Sequence, residues 1–192
     1  IIIINDVDTR NPARVASAYD ALFRASQGGA LGLFTSIQKL KDIHALLSPN
    51  MEKASLPLYA QHIDNMDVAT LVDIFKAEEN SCLLGTDAIR DGVDVPGASL
   101  RLLVFDKVPW PRPDLLHKAR RDYFGSRKYD ERLTRLKLKQ AFGRLIRTKQ
   151  DKGVFVMLES RLPSRLCTAF PPEIEIEKVG LKDAVQIIVD FF

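Results

Sequence analysis

Five short apolar runs recur along the chain: ALGLFTS at 30–36, LPLYAQ at 56–61, SCLLGT at 81–86, LRLLVFDKV at 100–108 and GVFVML at 153–158. Each is continuous rather than alternating, as expected of strands covered on both faces. EIEIEKV at 173–179 does alternate, which predicts a more exposed edge strand. The opening IIII also reads as a strand. Between these runs, apolar residues return every three or four positions. That spacing predicts helices over 12–26, 37–47, 67–79, 113–124, 129–150 and 181–192. Regular alternation of strand and helix predicts an α/β fold with a doubly wound, mainly parallel sheet and helices on both faces. No repeat, low-complexity tract or interdomain linker interrupts it, and PWPRP at 109–113 reads as a stiff exit from a strand. Residues 1–192 are expected to form one domain.

The bulk numbers narrow the function without naming it. At 192 residues, 46% hydrophobic and 28% charged, the composition is that of an ordinary globular domain. No apolar run approaches the length that crosses a bilayer, and IIII runs straight into NDVDTRNP, so no membrane partner is expected. The start on a strand without methionine suggests a fragment of a longer chain. Cys82 and Cys167 lie far apart and form no CxxC pair, and His44, His62 and His117 show no ligand spacing. No metal site is therefore expected, and the two thiols suit a reducing, cytoplasmic setting. The net charge of +3 is unevenly spread: residues 112–152 hold 14 Lys and Arg against 5 Asp and Glu, the remainder 14 against 20. A basic segment on an acidic body is the footprint of a polyanion, or else a solvated helical face.

In doubly wound sheets, ligands gather at the carboxyl ends of the strands. Three stretches qualify by this reading. LFTS at 33–36 leads directly into a helix. There Thr35 and Ser36, with free backbone N–H groups, can hold a phosphate, or Ser36 is simply an N-cap. GTDAIRDGVDVPG at 85–97 packs three glycines and three aspartates behind a buried strand, either a ligand loop or a turn-rich connection. QAFGRLIRTKQDKG at 140–153 places Gln140, Arg144 and Arg147 in one helical stripe, with Phe142, Leu145 and Ile146 opposite. Gly143 costs a helix about 1 kcal/mol relative to alanine, so stability does not explain it. Paired guanidinium groups bind phosphate oxygens in bidentate fashion, which suits a triphosphate.

Together these stretches resemble the second motor domain of DinG-type DNA helicases, relatives of the XPD helicases of superfamily two. The most specific part is GVDVPG followed by YDERLTRLKLKQAFGRLIR. The resemblance implies a RecA-like domain of the P-loop NTPase type, the C-terminal half of an ATP-dependent DNA helicase. It implies that Arg147 is an arginine finger, that Arg144 is its neighbour in the motif, and that Gln140 supports the site. Gly92 and Asp94 match the loop that touches the nucleotide. Asp91 stands beside them, where many relatives carry the glutamate of Phe-Trp-Glu and this chain has Ile89, Arg90 and Asp91. Thr35, Ser36 and Thr86 match positions that grip the phosphate backbone of single-stranded DNA. The implied partners are single-stranded DNA and an N-terminal motor domain of the same chain, which would hold ATP with Mg2+. Consistent with that division, no GxxxxGK[ST] loop occurs in these 192 residues. The competing reading is a non-enzymatic nucleic-acid-binding module that uses only the basic 112–152 segment. A stand-alone small-molecule enzyme is disfavoured, because the chain has no GxGxxG turn and no cysteine that begins a Cx5R loop.

Overall fold

Seven strands form one parallel sheet in the order β3-β4-β2-β5-β6-β1-β7, as the continuous apolar runs predict. They are β1 (Ile2–Ile4), β2 (Ala30–Leu33), β3 (Leu58–Ala60), β4 (Cys82–Gly85), β5 (Leu102–Phe105), β6 (Val154–Met157) and β7 (Glu177–Val179). Around it lie α1 (Pro12–Ala25), α2 (Ile37–Lys53), α3 (Val68–Ala77), α4 (Asp87–Gly92), α5 (Leu115–Phe124), α6 (Ser126–Leu145) and α7 (Leu181–Phe191). A 3-10 helix spans Ser164–Ala169. The computed structural model describes residues 1–92, 99–148 and 150–192, with the backbone alone for Arg90, Asp91, Gly92 and Ser126.

Strand side chains alternate between the two faces, so each inner strand feeds two cores. On one face Ile2, Ile4, Leu84, Leu102, Val104 and Val156 pack under α1, α2 and α7. On the other, Leu83, Leu103, Phe105, Phe155 and Met157 pack under α3, α4, α6 and the 3-10 helix. Burial of each such side chain is worth about 1.5–3 kcal/mol, which makes the doubly covered sheet the framework of the molecule. α5 adds little to either core, since only His117 of it is buried. It is fastened to α6 instead: His117 Nε2 lies 2.8 Å from Asp130 Oδ1, and Arg121 pairs with the other oxygen at 3.3 Å.

Three boundaries depart from the sequence expectation. α2 continues through Pro49 to Lys53, because Met51 is fully buried and anchors the extra turn. The edge strand is confined to β7, while Ile174 and Ile176 turn to pack against the second core. α6 stops at Leu145 rather than running to 150, with Ile146 extended at φ −121° and ψ 105°. The Asp151 carboxylate ends it: Oδ2 accepts from the backbone N–H groups of Arg147 and Thr148, each at 2.8 Å. Those contacts hold the Asp151 carboxyl below the usual carboxylate range.

Candidate functional site

The carboxyl edge of the sheet is organised by a residue that the sequence reading did not single out. Asp106 follows the last residue of β5 and is completely buried. Its Oδ1 accepts the Thr35 N–H at 3.1 Å, and its Oδ2 lies 2.9 Å from the Lys39 ammonium on α2. Lys39 also donates to the Thr9 carbonyl at 3.1 Å, which draws in the loop after β1. From the other side, Arg112 donates to the Thr35 carbonyl at 3.3 Å. The Thr35 peptide is thus clamped on both its polar groups. Burial pushes the Asp106 carboxyl up, and Lys39 opposes that shift. The available signal was a carboxylate closing an otherwise apolar strand in LRLLVFD. A buried acid in that position needs a partner.

Ser36 caps α2: its Oγ accepts the Lys39 N–H at 3.4 Å. Thr86, one residue beyond β4, is buried, and both its N–H and its hydroxyl donate to Gln61 Oε1 at 2.9 Å. A phosphate oxygen needs a donor, and both of Thr86's are spent on Gln61. In this structure Thr86 fixes Gln61 and the entry to α4. Gly85 makes that entry possible, since a Cβ there would fall 2.4 Å from Cγ1 of Ile89. Asp91 and Gly92 lie on the backbone of α4, directly behind this turn, and Asp94 lies outside the described residues.

The arginine segment is elsewhere. β6 runs parallel to the other strands, so the helix before it must end at the amino edge of the sheet. Leu145 is seated there: a Cβ on Gly153 would fall 2.6 Å from Leu145 Cδ1 and 3.1 Å from the Arg101 carbonyl. The expectation that all three stretches share the carboxyl edge is therefore corrected. Thr35, Ser36, Thr86 and the start of α4 come together, whereas Gln140 and Arg144 sit on the last turns of α6, towards the opposite edge. Arg147 lies past the helix, so the stripe of three is not one helical face. The apolar side behaves as expected: Phe142 and Leu145 are buried and Ile146 is partly buried against the same core. Gln140 and Gly143 are exposed, and a Cβ at Gly143 would meet nothing within 4 Å. Among the described residues nothing requires the glycine.

A contact between described residues joins the two regions. Lys137, two turns before Arg144 on α6, lies 3.4 Å from Asp87 at the first position of α4. A single stiff helix therefore touches the α4 turn and carries the arginine-bearing end.

The profile of the family described as "Helicase C-terminal domain" matches residues 20–174. This span includes every candidate stretch. The chain is 37% identical over 148 residues to the ATP-dependent helicase DinG of Mycobacterium tuberculosis (strain ATCC 25618 / H37Rv), covering 73% of this chain and 22% of that protein. It is 31% identical to the ATP-dependent DNA helicase YoaA of Escherichia coli (strain K12), covering 79% and 24%. It is also 30% identical to a protein of Bacillus subtilis (strain 168) named 3'-5' exonuclease DinG, covering 81% and 18%. The chain thus spans between 18% and 24% of the length of these relatives. Among solved structures, one titled XPD_Helicase superposes with a TM-score of 0.65 at 20% identity, over 92% of this chain and 34% of that one. Its likeness is one of fold.

Proposed function

This chain belongs to the helicase C-terminal domain family, and from that premise we propose that it is the second motor domain of an ATP-dependent DNA helicase. The observation that carries the reading is the family match across 20–174, because it takes in the Thr35 turn, the α4 loop and the arginine segment together. ATP with Mg2+ would be held mainly by a first motor domain of the same chain. Arg147, with Arg144 and Gln140, would meet its γ-phosphate from the facing side and stabilise the charge that develops in transfer. Asp91, Gly92 and Asp94 would border the nucleotide. Thr35 and Ser36 would contact the backbone of single-stranded DNA, with Thr86 holding the neighbouring turn.

Coupling follows from the fold. Closure on nucleotide would load the end of α6, and Lys137 would pass that displacement to Asp87 and the α4 turn beside the strand contacts. The buried stripe from Leu138 to Leu145 seats the end of α6 against the sheet, so the helix that carries Arg144 would need little reorganisation.

Two expected outcomes test the division of labour. Strand-stimulated ATP hydrolysis is expected from the full-length parent and negligible turnover from these 192 residues alone, in a steady-state phosphate-release assay. Turnover by the isolated chain would remove the need for a first motor domain. Gly143→Ala gives the second test. Alanine in an exposed helix interior is expected to raise the chain's stability by about 0.5–1 kcal/mol in denaturant titration. In the parent the same change is expected to slow turnover, because the added methyl stands where the facing domain would close. Undiminished turnover would leave Gly143 without a part in the interface.

A further inference from the structure

The α5–α6 hairpin projects past the carboxyl edge of the sheet and carries aromatic surface that neither core uses. Tyr123 is 84% exposed and Phe124 61%. Phe124 stacks on Tyr129, with ring centroids 5.6 Å apart and planes at 17°, and Tyr123 meets Phe124 edge-on at 4.8 Å. The stack is backed by His117, 5.5 Å from Tyr129, which Asp130 fixes in place. Exposed Lys128 and Arg132 border the hollow beside it, a space of about 400 Å³. Tyr129 and Leu133 also line an adjoining hollow of about 300 Å³ that reaches Arg112, Lys137 and Asp87. Arg112 is the residue that clamps the Thr35 carbonyl. The two hollows share Tyr129 and Leu133, so the aromatic face adjoins a space lined by the arginine that holds the Thr35 turn.

We propose that this face, Tyr123, Phe124 and Tyr129 bordered by Lys128 and Arg132, is a base-stacking platform for single-stranded nucleic acid. A protein partner would account for the apolar area but not for its setting. Residues 112–152 carry 14 cationic side chains against 5 acidic ones, and lysine is depleted from the centres of protein interfaces. Aromatic rings interleaved with cations are what a strand of unpaired bases requires: π-faces for the bases and positive charge for the backbone. The ring geometry favours stacking over packing, since a stacked pair fixed from behind offers a preset plane to the next ring. The inference rests on the helicase reading for its ligand class, and adds a second contact region beyond the phosphate-gripping turn.

The test uses the full-length parent and two labelled strands of equal length, oligothymidylate and its wholly abasic counterpart. The Tyr123→Ala/Phe124→Ala variant is expected to bind oligothymidylate about tenfold more weakly. It is expected to bind the abasic strand as the wild type does, with an unchanged salt slope. Phe124→Trp on the Tyr123→Ala background is expected to restore most of the loss. A Lys128→Ala/Arg132→Ala variant is expected to weaken both strands alike and to flatten the salt dependence. Equal binding of oligothymidylate by the wild type and the aromatic variant would overturn the platform. So would protection of the Tyr123 and Phe124 side chains from hydroxyl-radical labelling in the strand-free parent, which would show that protein covers the face. The two readings fail separately. If Thr35→Ala/Ser36→Ala weakens strand binding and the aromatic variant does not, the platform falls and the helicase reading stands. If turnover ignores the strand while the aromatic variant still loses base-dependent binding, the platform stands and the helicase reading falls.

Discussion

Arg147→Ala in the full-length parent is expected to lower strand-stimulated ATP turnover by about 10³-fold or more, with nucleotide affinity reduced far less. An arginine that meets the γ-phosphate from a facing domain acts mainly when charge builds on the transferring group, so its removal raises the barrier more than it weakens the ground state. Asp151 holds the Arg147 backbone by accepting two successive N–H groups at 2.8 Å, so the guanidinium departs from a fixed point rather than from a fraying helix end. Arg147→Lys keeps the charge and loses the bidentate geometry, and is expected to recover only a minor part of the rate. Asp151→Ala leaves the arginine in place and loosens its support, so its rate should fall between those of the wild type and Arg147→Lys. Steady-state hydrolysis, together with equilibrium binding of a fluorescent nucleotide, separates rate from affinity. Turnover unchanged in Arg147→Ala would reduce the segment to a basic surface and bring the binding-module reading forward.

The contrast between the arginine segment and the rest of the molecule shows which information a sequence carries. Continuous apolar runs located β2, β4, β5 and β6 because a strand covered on both faces has no polar phase to confuse it, whereas β3, read the same way, is a half-buried edge strand. Phe142, Leu145 and Ile146 were placed correctly because helical period fixes a face locally. The end of α6 was not legible. A periodic pattern runs on through Arg147 to Gln150, and only the Asp151 carboxylate turning back on two N–H groups stops it. Nor could the pattern show that the arginines and Thr35 occupy opposite edges of the sheet, since that depends on the direction of β6. Thr86 was found for its position, but its partner Gln61 lies 25 residues away in sequence and was not legible. Asp106 was passed over because a polar residue at the end of a strand reads as its boundary. In the fold it is buried, and it joins elements from Thr9 to Arg112 through Lys39 and Thr35.

That buried pair sets the largest stability effect expected in the chain. Lys39→Met leaves the buried carboxylate without its paired cation, with only the more weakly acting Lys107 still opposing its burial, and the expected cost is about 3–5 kcal/mol near neutral pH. Lys39 is 16% exposed and Asp106 is 0% exposed, so solvent screens little of the pairing. The pH dependence has a definite sign. Burial already raises the Asp106 carboxyl above its ordinary value, and removal of Lys39 takes away the leading influence that lowers it. A carboxyl whose folded pKa is raised favours folding in its protonated form. That contribution is present below the unfolded value and is lost as pH rises through the folded one. The variant's deficit should therefore be smallest in acid and should grow as pH rises, in denaturant titrations of wild type and Lys39→Met at matched pH values. Asp106→Asn on the Lys39→Met background keeps an acceptor for the Thr35 N–H and removes the charge, so it should recover much of the loss and flatten the pH dependence. A deficit that is small and indifferent to pH would mean that water reaches Asp106, and the clamp on the Thr35 turn would then need another support.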